Sequence, residues 1–123
     1  MKRILAKAGV VLGSVALATT GAVVTAAPAN AAWSCPSGAL CAYTAPDGDS
    51  AYGDVYADNS DLLRFTKFDN AESLRNNGNN CNVRVYSGLN YTGSSFVIPR
   101  GYYVPTLANT VYWHNVASND WCV

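Results

Sequence analysis

The sequence predicts a small all-β domain built as a two-sheet sandwich from two similar halves. Short strand-like runs are separated by Gly, Asn, Asp and Pro, which favour turns. After the N-terminal apolar stretch, no segment sustains a helical period. A weak repeat also recurs at a spacing of about 43–45 residues, so each half would supply about four strands.

The first 31 residues predict a secretory leader outside the fold. A basic start is followed by an apolar stretch over residues 8–27 and by Ala29-Asn30-Ala31, which is typical of a cleavage site. A membrane anchor is the alternative, but the stretch is interrupted by Gly, Ser and Thr and ends in small residues. We therefore expect one mature domain over residues 32–123, secreted to the extracellular space.

The charge of the mature chain argues against nucleic acid and membranes as partners. Three of the 8 basic residues lie in the leader, which leaves five against 8 acidic residues and a net charge of about −3. The remaining basic residues are scattered rather than clustered, so no basic patch is predicted.

The mature protein is expected to be a monomer.

Four cysteines, all in the mature chain, predict two structural disulfides: Cys35, Cys41, Cys81 and Cys122. A zinc site would need paired C-x-x-C motifs or further histidines, and a redox pair is usually C-x-x-C. Three pairings remain open on the sequence alone. We favour Cys35–Cys41 with Cys81–Cys122.

Six runs are predicted as strands: residues 40–43, 54–57, 62–65, 83–86, 95–98 and 110–113. In the fourth run, Val83 and Val85 should point inward and Arg84 outward. The run of Asn and Gly over residues 76–80 predicts a turn.

The repeat aligns residues 68–73 with residues 113–118. Each segment begins with an aromatic residue, has Asn third and ends in Ser. Tyr43 and Tyr86 are similarly spaced, and each opens a turn region that contains Gly.

The stretch YSGLNYTGSS, from Tyr86 to Ser95, resembles the β-hairpin signature of a βγ-crystallin Greek key. Tyr86, Tyr91 and Gly93 match its two aromatic positions and its glycine. The resemblance implies that the tyrosines stack at the hairpin corner and that Gly93 adopts a backbone conformation that a side chain would hinder. The corresponding hairpin after Tyr43 is predicted to be irregular or longer.

The stretch CPSGALCAY, which begins at Cys35, is similar to the start of the Streptomyces metalloproteinase inhibitor and of the peptidase-inhibitor family named after it. The resemblance implies the crystallin-like fold, two disulfides and a protease as the partner. In that inhibitor the reactive bond lies beside a cysteine in a second short disulfide loop. Cys81 and Cys122 are too far apart in this sequence to form such a loop, so no reactive bond is carried over.

Catalysis is not expected. His114 is the sole histidine, and the sequence contains no G-x-S-x-G, no H-E-x-x-H and no paired-carboxylate landmark.

Calcium binding is a weaker expectation, with no other cofactor expected. Calcium-binding βγ-crystallins carry an N/D-N/D-x-x-S/T-S motif, which residues 69–74 match in part and residues 114–119 match less well. The candidate ligands are Asp69, Asn70, Ser73, Asn115 and Ser118. The alternative is that these side chains cap backbone turns, because Asn and Ser do this readily and the second motif offers little charge.

Protease contact is predicted at one of three loops, over residues 45–54, 76–80 or 99–105. The last reads PRGYYVP, and Arg100, Tyr102 and Tyr103 are of the types that are enriched at binding hot spots. The alternative is that one tyrosine packs in the core and the other covers the sheet edge. The sequence thus predicts a secreted peptidase inhibitor that reversibly occludes a protease active site. An extracellular structural or binding module of crystallin type remains the alternative.

Overall fold

The computed structural model describes residues 32–123 as two antiparallel β-sheets. The predicted leader and its cleavage site lie outside the described residues. The strands are β1 (Leu40–Tyr43), β2 (Tyr52–Val55), β3 (Ser73–Asn76), β4 (Val83–Gly88), β5 (Thr92–Ile98), β6 (Tyr103–Val104) and β7 (Ser118–Trp121). A short helix, α1 (Thr66–Asp69), and a 3-10 turn (Pro46–Gly48) lie in the first half. Among the described residues, no helix is long and apolar enough to cross a membrane.

The two halves exchange strands, which confirms the predicted pair of Greek keys. The first sheet has the order β2-β1-β3-β6, so its fourth strand comes from the second half of the chain. The second sheet has the order β5-β4-β7, and Asn59 of the first half bridges Asn119 in β7. Each sheet is therefore completed by a segment of the other half.

The register confirms the sequence repeat. Ser73 begins β3 opposite Tyr43 in β1, and Ser118 begins β7 opposite Tyr86 in β4. The two serines and the two tyrosines therefore occupy equivalent places in the two halves.

The core lies between the sheets and is apolar. Its buried members are Leu40, Ala42, Val55, Leu62, Phe68, Ala71, Leu74, Val83, Val85, Ile98, Leu107 and Val116. Val83 and Val85 are buried while Arg84 is partly exposed, as the alternation in β4 predicts.

A second, smaller cluster lies on the other face of β1. Cys41 and Tyr43 alternate along this strand with core residues, so their side chains point away from the main core. They are covered by residues 33–38, which we call the N-terminal cover, with Trp33 packed edge-on against Tyr43. The phenol of Tyr43 donates a 2.7 Å hydrogen bond to the carbonyl of Ser34.

Both favoured disulfides are present, and the described residues contain no free cysteine. Cys35–Cys41 joins the N-terminal cover to β1, and its Cα atoms are 5.9 Å apart. Cys81, two residues before β4, is joined to Cys122, directly after β7, with a Cα separation of 4.6 Å.

Two of the predicted strands are wrong. Residues 62–65 form a turn, and the carbonyl of Phe65 accepts hydrogen bonds from the backbone amides of Phe68 and Asp69 to start α1. Residues 110–113 also form turns, because Thr110 Oγ1 accepts a hydrogen bond from the Tyr112 amide. Side-chain and backbone bonds of this local kind compete with strand pairing.

The sequence reading missed β3 and β7, which are rich in polar residues; β3 lies inside the first sheet and β7 at the edge of the second. Asn76 and Asn119 are fully buried there, and each satisfies its amide on backbone carbonyls. A buried Asn that is hydrogen-bonded in this way does not look like a strand residue in a hydrophobicity pattern.

The second-half hairpin has the predicted geometry. The rings of Tyr86 and Tyr91 pack edge to face with centroids 5.8 Å apart. Gly93 has φ +80°, and a Cβ there would lie 2.6 Å from Ser87 Oγ. The first-half hairpin is longer, as expected, and contains the 3-10 turn.

Candidate functional site

The candidate contact loop, residues 99–105, begins with a tight turn. The amide of Tyr102 donates a 3.0 Å hydrogen bond to the carbonyl of Pro99. Gly101 has φ +84°, the left-handed conformation that the third position of a type II turn requires. Arg100 therefore lies exposed at the tip of a closed turn rather than in an extended segment.

Asn76 and Asn82 fix this turn to the scaffold. The backbone carbonyl of Asn76 accepts a 2.8 Å bond from the Gly101 amide. The backbone amide of Asn76 donates a 3.0 Å bond to the carbonyl of Tyr102. Asn82 Oδ1 accepts a 3.2 Å bond from the Arg100 amide. The turn is thus held at three backbone positions.

The two tyrosines of the loop differ in their surroundings, and neither enters the core. Tyr102 is 62% exposed and Tyr103 is 47% exposed. The ring of Tyr103 packs on Trp33 with centroids 4.7 Å apart, and the guanidinium carbon of Arg75 lies 4.9 Å from its centroid. Tyr103 also belongs to β6, at the edge of the first sheet. Of the alternative placement, one tyrosine therefore does cover the sheet edge, but neither packs in the core.

The structure connects the three candidate loops. Besides the bonds of Asn76 to the 99–102 turn, the amide of Asp47 in the first loop donates a 2.8 Å bond to the carbonyl of Pro105. We call the residues 45–54, 76–80 and 99–105 together the loop surface. Sequence separation hides this arrangement, because it depends on the crossing of β6 into the first sheet.

The candidate calcium ligands are occupied with backbone contacts. The hydroxyls of Ser73 and Ser118 each donate and accept one bond within a hairpin. The amides of Asn70 and Asn115 donate to backbone carbonyls at 2.9 Å. Asp69 is exposed in α1. In the described part of the chain, no three His, Cys, Asp or Glu side chains are grouped to hold a metal ion.

The sequence reading missed a side-chain contact between the two halves. His114 Nε2 lies 2.9 Å from Glu72 Oε2, and the His114 amide donates a 3.0 Å bond to the carbonyl of Ala71. The imidazole stacks on Trp113 with centroids 4.6 Å apart. Both residues lie in the aligned repeat segments, which is the one signal that could have placed them together.

Comparison with known families decides the classification. Residues 28–98, more than half of the 123 residues, match the profile of peptidase inhibitor family I36. The chain belongs to this family. It is the family of the Streptomyces metalloproteinase inhibitor, so the family resemblance is confirmed. The I36 match points to an inhibitor rather than an enzyme, and it ends before Arg100.

The solved structures that resemble this I36 chain are crystallin domains. One is a structure that concerns the evolution of the eye lens βγ-crystallin domain fold, with a TM-score of 0.62 and 14% identity. The match covers 72% of this chain and 89% of that chain. A βγ-crystallin domain from Clostridium beijerinckii has a TM-score of 0.54 and 22% identity, with coverages of 68% and 97%. IPSE/alpha-1 from Schistosoma mansoni eggs has a TM-score of 0.54 and 17% identity, with coverages of 69% and 84%. At these identities the likeness shows the fold alone. No curated protein matches the sequence significantly.

Proposed function

We propose that the chain is a secreted peptidase inhibitor that reversibly occludes a protease active site with its loop surface. The turn at 99–102 carries this proposal, because it presents Arg100 and Tyr102 to solvent on a backbone that is already fixed. Membership of a peptidase inhibitor family supports a protease as the partner.

A turn whose backbone is already held in place before binding favours tight binding. Association costs free energy to order loops and side chains, and a turn that is already held by backbone bonds avoids part of this cost. Tyrosine and arginine contribute large contact areas and are enriched among the residues that dominate binding energy. Arg100 and Tyr102 are the proposed central contacts, and Tyr103 supports them through its packing on Trp33.

The turn also indicates how the protease would be blocked. Proteases cleave segments that lie extended in the active site, whereas the carbonyl of Pro99 and the amide of Tyr102 close this segment on itself. We propose that the turn fills the entrance of the site as a plug and is not cleaved in the complex.

We further propose that the leader is removed after Ala31 and that the mature domain acts as a monomer outside the cell. Two disulfides are consistent with an oxidising compartment. The N-terminal sequence of protein recovered from the medium of an expressing host should begin at Ala32. An intact N-terminus would contradict the proposed processing.

The function is tested by titrating the secreted, oxidised protein against metallo-, serine and cysteine proteases. We expect saturable inhibition of one class at a ratio near one to one, with the inhibitor recovered intact. If every protease either ignores the protein or digests it, the alternative of an extracellular structural module takes its place.

A further inference from the structure

Asn77 and Gly78 form the one Asn-Gly pair in the sequence. In this pair the backbone amide nitrogen of the glycine can attack the side-chain carbonyl carbon of the asparagine, because glycine offers no Cβ to hinder the approach. A flexible chain therefore loses the amide group at such a pair more readily than at other asparagines. Folded proteins can prevent this by fixing the side chain.

The structure fixes both reacting groups. Asn77 Nδ2 donates a 2.8 Å bond to the carbonyl of Cys35, and its Oδ1 lies 3.4 Å from Nη2 of Arg75. The attacking nitrogen of Gly78 donates a 2.8 Å bond to Asn76 Oδ1. Cyclisation would require the bonds to Cys35 and to Asn76 to break.

The backbone of Asn77 is held as well. Its amide donates a 2.9 Å bond to the carbonyl of Ala39, and its carbonyl accepts a 2.8 Å bond from the Gly38 amide. These partners and Cys35 belong to one short segment that the Cys35–Cys41 disulfide closes onto β1. The restraint on Asn77 therefore depends on this segment staying in place.

We propose that Asn77 is a deamidation site that the Cys35–Cys41 disulfide controls. A dithiol reduces the disulfide to two cysteine thiols and is itself oxidised to a disulfide, which removes the covalent tie between the N-terminal cover and β1 and loosens the cover. The Gly78 nitrogen then loses its proton to solvent and bonds to Asn77 Cγ, and Nδ2 leaves as ammonia. Water opens the resulting cyclic imide at either carbonyl, which gives aspartate or isoaspartate.

The product cannot restore the starting contacts. Aspartate has a carboxylate where Asn77 donated to the carbonyl of Cys35, so two acceptors would face each other. Isoaspartate adds an atom to the backbone next to Asn76, which holds the 99–102 turn. Reduction followed by deamidation would thus be irreversible. Its effect on inhibition rests on the proposed function, whereas the deamidation itself does not.

The test follows Asn77 by peptide mass spectrometry during incubation in neutral buffer. It compares the wild-type protein, the double variant Cys35→Ser/Cys41→Ser and the reduced, alkylated, unfolded chain. Cyclisation must break two hydrogen bonds, so we expect conversion in the wild type to be slower than in the unfolded chain by at least about tenfold. The double variant should lie between them. Asn109 and Asn115 in the same digests serve as internal references.

Two results would overturn the proposal. The first is a wild-type protein that converts Asn77 as fast as the unfolded chain. The second is a double variant that is folded by circular dichroism yet converts Asn77 at the wild-type rate. If the double variant does not fold, Asn77→Asp is tested instead. This variant should speed the reduction of Cys35–Cys41 by dithiothreitol, and an unchanged rate would refute the coupling.

Discussion

Ser73 and Ser118 make the same pair of hydrogen bonds in the two halves of the molecule. Ser73 Oγ donates to the carbonyl of Ala45 at 2.7 Å and accepts from the Gly48 amide at 2.9 Å. Ser118 Oγ donates to the carbonyl of Gly88 at 2.7 Å and accepts from the Tyr91 amide at 3.0 Å. Each serine thus ties the first residue of its strand to the hairpin of its own half.

Removing either hydroxyl should destabilise the domain. Ser73→Ala and Ser118→Ala each remove a fully buried hydroxyl that bonds one backbone amide and one carbonyl, so each should lower the free energy of unfolding by about 1–3 kcal/mol. In a domain of this size each kcal/mol lowers Tm by about 4–8 °C. Ser94→Ala, at an exposed position, is the matched control and should stay within about 0.5 kcal/mol. If all three variants have the same Tm, the hydrogen bonds of Ser73 and Ser118 contribute nothing to stability.

The two disulfides should contribute unequally. Cys81 and Cys122 are separated by 41 residues, whereas Cys35 and Cys41 are separated by 6. On the chain-entropy account, Cys81→Ser/Cys122→Ser should cost about 4 kcal/mol and Cys35→Ser/Cys41→Ser about 2 kcal/mol. Urea unfolding measures both. A larger loss from the short loop would mean that contacts of the N-terminal cover outweigh chain entropy.

The contact turn should be separable from stability. Arg100→Ala and Tyr102→Ala remove exposed side chains, so each should weaken the inhibited complex by about 10- to 100-fold and leave Tm unchanged. Leu89→Ala is the control, since Leu89 is 42% exposed but lies between β4 and β5, outside the loop surface. Inhibition constants measure the effect. If the control weakens inhibition as much as the two turn variants, the contact surface lies elsewhere.

Tyr43 should make stability depend on pH in the alkaline range. Burial raises its pKa from 10.0 to about 12, so the neutral phenol is favoured in the folded state. The stabilisation is complete below pH 10 and is lost as the pH rises through 12. Tyr43→Phe should be less stable at neutral pH by about 1 kcal/mol, because it loses the bond to Ser34, but its stability should decline less between these limits. Parallel pH profiles of wild type and variant would contradict this.

Calcium should have little effect on thermal stability. The hydroxyls of Ser73 and Ser118 already bond to the hairpins, so they would have to give up these contacts to reach an ion. We expect the same Tm in calcium and in chelator. A gain in Tm that Asp69→Ala abolishes would instead establish the calcium site that the sequence motif suggested.

The sequence determined the parts of this protein that depend on local chemistry. Alternation placed Val83 and Val85 in the core, the YSGLNYTGSS stretch specified a hairpin, and the cysteine count required two disulfides. The valines follow from the period of the strand, the hairpin from the resemblance of its stretch to a crystallin signature, and the disulfides from an even cysteine count in a small exported domain.

Only the tertiary structure decided which distant residues meet. The crossing of β6 into the first sheet brings residues 99–105 beside Asn76 and Asp47, and burial beside backbone carbonyls makes Asn76 and Asn119 strand residues. Hydrophobic patterns record whether a side chain is polar, not whether its hydrogen bonds are satisfied inside the fold. The three candidate contact loops are far apart in the sequence, and the crossing of β6 brings them together into one surface.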